Sequence, residues 1–269
     1  MKTFRPIYLL PLLIMATLVA CSHIDDDERL IYVKPVSVSR NVLIEDFTGQ
    51  RCVNCPNATD EITNLIGQYG ESAVIAVGIH SGPFAKSLRG VPYALWTEDG
   101  DAYFDYWKVE SQPKGVVDRR GTSDYTSWGT IVRDELSKTA PLSLDLTSSY
   151  DAATNSATIM VVATGTDGNT TGRLQVWLVE SGITAFQYMP DGSTNREYVH
   201  NHVFRKAVNG TWGTDFSVSE GANENAVFTA GLDPEWVAEN MEVVAFVYND
   251  QGVCQVSKCR LVPAQESAE

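Results

Sequence analysis

Residues 41–47, NVLIEDF, form a short apolar run with β-branched members and predict a buried strand. Thr48-Gly49 breaks it. Ala58, Ile62, Leu65, Ile66 and Tyr69 then recur at helical spacing, and Gly70 closes that segment. Residues 72–80, SAVIAVGIH, read as a second buried strand. Strand, helix and strand in that order make a βαβ unit, which favours a parallel pair. Further on, Ser111-Gln112-Pro113 leads into a strand-like run from Gly115 to Arg119. Trp128, Ile131, Val132 and Leu136 form an amphipathic stripe, the last helix of this half, and Thr139-Ala140-Pro141 ends it. Between the second strand and that run, residues 91–109 carry Tyr93, Trp96, Tyr103, Phe104, Tyr106 and Trp107. They predict an insertion whose aromatics pack over the sheet, or a rim that holds a peptide or glycan.

From Pro141 the period changes. LSLDLTSSY, SATIMVVAT, GRLQVWLVE, DFSVS and MEVVAFVYN are short alternating or apolar runs separated by turns such as Asp167-Gly168-Asn169. This predicts an all-β, immunoglobulin-like sandwich, with nothing catalytic in it. The expected organisation is an α/β domain over residues 41–140, the sandwich over 141–263 and a tail at 264–269. Residues 181–198 read as a long loop, either a connection or a contact surface.

Ahead of these domains, residues 1–20 read as a signal peptide, with Lys2 and Arg5 before an apolar stretch too short and Pro-broken to span a bilayer. It ends Leu18-Val19-Ala20-Cys21, which resembles a lipoprotein cleavage site and predicts a lipid anchor on Cys21. Residues 21–40 would be a tether, acidic at Asp25 to Glu28. That cluster, with Ser22 after the anchor, resembles sorting to the outer face of the outer membrane, with the periplasmic face as second choice. The formal charge is −14, and losing a leader with two cations and no acid takes it near −16. Such a surface repels phosphate backbones, so nucleic acid is excluded as a partner.

Cys52, Cys55, Cys254 and Cys259 remain, in a compartment where disulfides persist. Cys52-Val53-Asn54-Cys55 falls where the first helix begins. Unpaired backbone N–H groups and the helix dipole stabilise a thiolate there, and Arg51 pushes the same way. The second cysteine lies one turn in, close enough to resolve a mixed disulfide. The alternatives are a permanent staple, or half of a metal site completed by Cys254 and Cys259. On one extended strand those two cysteines lie about 16 Å apart on opposite faces, so they read as free thiols unless a turn or bulge intervenes. His200-Asn201-His202 places two imidazoles on one face of a strand, without an identifiable third ligand. No metal site and no bound cofactor are expected.

Asp46-Phe47, four residues, then Cys52-Val53-Asn54-Cys55 resembles the spacing of thioredoxin-like proteins. The resemblance implies Cys52 as nucleophile, Cys55 as resolving thiol, Asp46 as buried proton relay and Pro113 as the cis-proline facing the pair. It also implies that Gln112 pairs through its backbone with an extended peptide, and that Arg51 stands beside the substrate where the family has an aromatic residue. The middle Val53-Asn54 departs from the family's Gly-Pro. Across the whole chain, the segment VLIEDFTGQRCVNCPNA, the closing VVAFVYNDQG and His200 to Arg205 resemble Bacteroides-type lipoproteins related to the twenty-eight-kilodalton outer-membrane protein. Two functions follow as expectations. One is a membrane-anchored thiol–disulfide oxidoreductase acting on protein disulfides. The other is a non-catalytic surface binding or adhesion lipoprotein with a structural disulfide, whose partner is a protein, a peptide or a glycan.

Overall fold

The computed structural model describes residues 37–263, so the leader, Cys21, the acidic run and the tail lie outside the described residues. The first half holds β1 (Val38–Ser39), β2 (Val42–Thr48), α1 (Cys55–Tyr69), β3 (Val74–His80) and a short 3-10 turn at Gly82–Ala85. It continues with α2 (Glu98–Tyr106), β4 (Lys114–Val117), β5 (Thr122–Ser123), α3 (Tyr125–Leu136) and β6 (Thr139–Ala140). Ten strands follow. They are β7 (Leu142–Asp151), β8 (Ser156–Gly165), β9 (Thr170–Glu180), β10 (Ile183–Tyr188) and β11 (Thr194–His200), then β12 (Val203–Ala207), β13 (Thr214–Val218), β14 (Asn223–Gly231), β15 (Met241–Asn249) and β16 (Gly252–Arg260).

β2 is buried at every position, as its unbroken apolar run requires of a strand covered on both faces. It pairs in parallel with β3 and antiparallel with β4. On one face, Ala58, Ile62 and Leu65 of α1 meet Trp128 and Val132 of α3 over Val42, Ile44 and Ala76. Pro56 suits the first turn of α1, where its missing N–H costs nothing, and Gly70 at φ 94° ends the helix. On the other face, Phe47, Ile75 and Val77 pack with Tyr103, Trp177, Phe204 and Phe246. Trp177 is fully buried, and truncating such a ring to alanine costs about 3–5 kcal/mol. Two buried ion pairs hold the strand ends. Arg40 meets Asp118 at 3.0 Å, and Arg119 meets Glu45 at 3.0 Å with its guanidinium 4.2 Å from the Tyr248 ring.

The fold is β-rich, with one mixed sheet and three antiparallel ones. A nine-stranded sheet runs β16-β15-β9-β12-β3-β2-β4-β5, with β13 also on β9. It draws strands from both sides of position 140, where two domains were expected, and residues from Pro35 onward form one compact unit. The parallel pairing of β12 with β3 at Val203 and Gly78 makes the join. The three-stranded sheet β14-β8-β7 packs its inner face, including Leu142, Ile159 and Val161, on Leu174, Val176, Val243 and Ala245 of the large sheet.

Two segments differ from the sequence expectation. The aromatic insertion contains helix α2, capped by the Thr97 hydroxyl accepting from the Gly100 amide at 3.0 Å. Only Gly100 and Tyr103 of this helix are buried, so no apolar stripe announced it. The long loop at 181–198 is instead the hairpin β10–β11, a two-stranded sheet of its own.

Candidate functional site

Strand β2 delivers the chain to a turn at Gly49, where the Cys52 amide donates to the Gly49 carbonyl at 2.9 Å. A Cβ at Gly49 would sit 2.5 Å from the Phe84 backbone, so only glycine lets the loop pack on the 3-10 turn. Arg51 Nη1 donates to the Lys86 carbonyl at 3.0 Å, tying the same two segments together. Cys52 and Cys55 form a disulfide with their Cα atoms 5.4 Å apart.

The sulfur atoms are less accessible than the sequence implied. α1 begins at Cys55, with Asn54 as N-cap, so Cys52 precedes the helix. Cys52 is 2% exposed and Cys55 1%, while Val53 and Asn54 between them face solvent. The hairpin β10–β11 supplies cover that no local pattern encodes. Gln187 Nε2 donates to the Cys52 carbonyl at 2.8 Å, the Tyr188 amide to the Gln50 carbonyl at 2.9 Å, and Gln50 Nε2 to the Phe186 carbonyl at 3.2 Å.

The Gln112-Pro113 peptide is cis. Gln112 Nε2 donates to the carbonyls of Thr48 (2.7 Å) and Ser81 (3.2 Å), which holds this turn against the outgoing ends of β2 and β3. Asp46 is buried in β2, its Oδ1 without a partner among the described residues, and desolvation pushes its carboxyl up to about 7. It lines a small chamber of about 70 Å³ together with Cys55, His80, Gln187, Tyr198 and His200.

His80 is the residue the sequence reading missed. The available signal was its place at the carboxyl end of a buried strand, beside the loop that carries the cysteines. Its ring lies 5.2 Å from that of His200, edge to face. Burial holds His200 down at about 4 and His80 well below the usual imidazole range, so both are neutral at pH 7. His202 does not share a strand face with His200, because its φ of 56° puts it in a turn. No group of three His, Cys, Asp or Glu side chains among the described residues could hold a metal ion.

The second cysteine pair lies elsewhere. Cys254 and Cys259 are free thiols on β16, the first buried and the second half-buried. Pairing jumps from Val247–Gln255 to Tyr248–Val253, which leaves Cys254 as a bulge. That bulge shifts the phase of the strand, so both cysteines pack on the sandwich core rather than on opposite faces.

Comparison with known proteins gives a family and a fold. The family described as Outer membrane protein Omp28 matches residues 100–265, a stretch that begins after the disulfide. HBP35 of Porphyromonas gingivalis superposes with a TM-score of 0.67 at 15% identity, covering 87% of this chain and 80% of that one. At this identity the likeness concerns the fold alone. A crystal structure of a domain of the outer membrane lipoprotein Omp28 from Porphyromonas gingivalis is 28% identical. It covers 47% of this chain and 92% of that one, with a TM-score of 0.35. None of the curated proteins compared matches the chain.

Proposed function

The chain belongs to the Omp28 family and sits at the outer membrane, and from that premise we propose that it is a lipid-anchored thiol–disulfide oxidoreductase acting on protein disulfides. The anchor is the acylated Cys21, and the chain faces the cell exterior. In this reading the first half is a thioredoxin-like unit. Its support is the βαβ unit with parallel β2 and β3, the antiparallel β4 after Pro113, and the cysteine pair at the start of α1. One observation carries the catalytic part. Asp46 is an unpartnered buried carboxyl beside Cys55, tuned to about 7. A disulfide that only staples a loop has no use for such a group, whereas proton transfer at neutral pH needs one.

The reduced pair would act in two steps. The Cys52 thiolate attacks a substrate disulfide, forming a mixed disulfide and releasing one substrate thiolate. Cys55, deprotonated through Asp46, then attacks the Cys52 sulfur and expels the second substrate thiolate. The pair ends oxidised and the substrate reduced, and an external dithiol resets it. Because Cys52 is 2% exposed, the hairpin β10–β11 must move aside for the first attack.

That same burial favours a second reading, a surface binding lipoprotein for a protein, peptide or glycan, whose disulfide is structural. The discriminating experiment measures the reduction potential of the pair and asks whether Cys55→Ser traps partners through Cys52. The oxidoreductase predicts a potential between about −120 and about −270 mV and mixed disulfides with proteins. A potential below about −300 mV with nothing trapped establishes the structural disulfide instead.

A further inference from the structure

Three buried side chains around the chamber each keep one polar atom without a protein partner: Asp46 Oδ1, His80 Nδ1 and His200 Nε2. They arrive from three separate strands, β2, β3 and β11. Buried polar atoms are almost always hydrogen-bonded, to water where the protein supplies no partner. A volume of about 70 Å³ with polar walls is large enough to hold water. The outward wall belongs to the hairpin, where half-buried Tyr198 lines the chamber beside His200.

We infer that His200, with His80 opposite, is a positioning residue that holds ordered water between Asp46 and the surface, and that this water carries the proton released when Cys55 becomes a thiolate. The inference rests on the oxidoreductase reading above. In the resolving step the Cys55 proton passes to the Asp46 carboxylate. The Cys55 electron pair forms the bond to Cys52 Sγ as the bond from Cys52 to the substrate sulfur breaks. Asp46 then returns the proton through the water to solvent, where it neutralises the departing substrate thiolate. Neutral imidazoles suit this task, since each free ring nitrogen accepts a hydrogen bond from water and orients it. Other titratable groups face the same space. Tyr198 and His202 line it, while Arg205 acts on His80 and Asp60 on Tyr198.

The test uses the full chain, reduced, reacting with a peptide disulfide from about pH 5 to about pH 9, with mixed-disulfide formation and resolution timed separately. His200→Phe is expected to slow resolution about tenfold at neutral pH and to move its pH profile, leaving formation by Cys52 unchanged. His200→Gln, which keeps an acceptor, is expected to restore most of the rate. Gly78→Ala guards against a folding defect. Its new Cβ would meet Thr48, Asn201 and His202, all chamber residues, at 3.6–3.9 Å, an ordinary contact that intrudes on the water. It is expected to slow resolution in the same sense. If the wild type resolves its mixed disulfide and all three variants share its pH profile, the relay is overturned and the oxidoreductase stands. If the wild type forms no mixed disulfide, both fall together.

Discussion

Two pairs of cysteines occupy the same compact unit, and their contrast separates burial from chemistry. Cys52 and Cys55 are buried beside a carboxyl, two imidazoles and a polar chamber, and they are bonded. Cys254 and Cys259 sit against aliphatic side chains of the sandwich and stay free. Inaccessibility does not distinguish the pairs. What distinguishes them is backbone geometry, a turn entering a helix against a strand, and the presence of groups that can take a proton. A thiol among aliphatic neighbours is held up by desolvation, as both Cys254 and Cys259 are.

The largest effect that would test this contrast concerns Asp46. Its folded value is raised to about 7, so its contribution to stability is complete below about pH 4 and is lost as pH rises through 7. The full swing is on the order of 4 kcal/mol. Asp46→Asn mimics the neutral acid. Urea midpoints should therefore match those of the wild type near pH 4, and exceed them by several kcal/mol in equivalent stability at pH 8. An unchanged difference at both values would show that the carboxyl is solvated, and the contrast between the pairs would weaken.

Next comes reduction of the disulfide. The closed loop is short, so its loss should destabilise the fold by about 2 kcal/mol, read as a shift in the same urea midpoint. Cys254→Ala should cost only about 1 kcal/mol, the price of a small cavity. The smallest effect is a rate. In the native, oxidised protein, neither Cys254 nor Cys259 should react measurably with an alkylating reagent at pH 7, whereas both should react at once in denaturant. Native labelling of either would show that the sandwich opens locally.

Local pattern carried much of this architecture. The runs before and after the first helix announced β2 and β3, and the stripe from Trp128 to Leu136 announced α3, because each buries a face against one neighbour. The spacing of Asp46, Cys52 and Cys55, with Pro113 downstream, brought those residues to the same strand ends in space. What stayed hidden depends on partners far along the chain. His80 acquires its role only when His200 arrives opposite it, and nothing around Gln187 indicates that its amide will reach the Cys52 carbonyl. The α2 helix was invisible because it exposes most of its surface. The bulge at Cys254 reversed the expected facing of two thiols by adding one residue to a ladder.

The pairing of β12 with β3 has a consequence for how the molecule is made. The early strands cannot complete their sheet until a segment from beyond position 200 has been delivered to them, and distant closures of that kind are slow. During that wait β3 presents an open row of amides and carbonyls, the kind of edge that recruits other chains. Residues 41–140 produced alone would keep that edge for good and should clump rather than fold. During export, the chain has to be guarded until its last third has crossed.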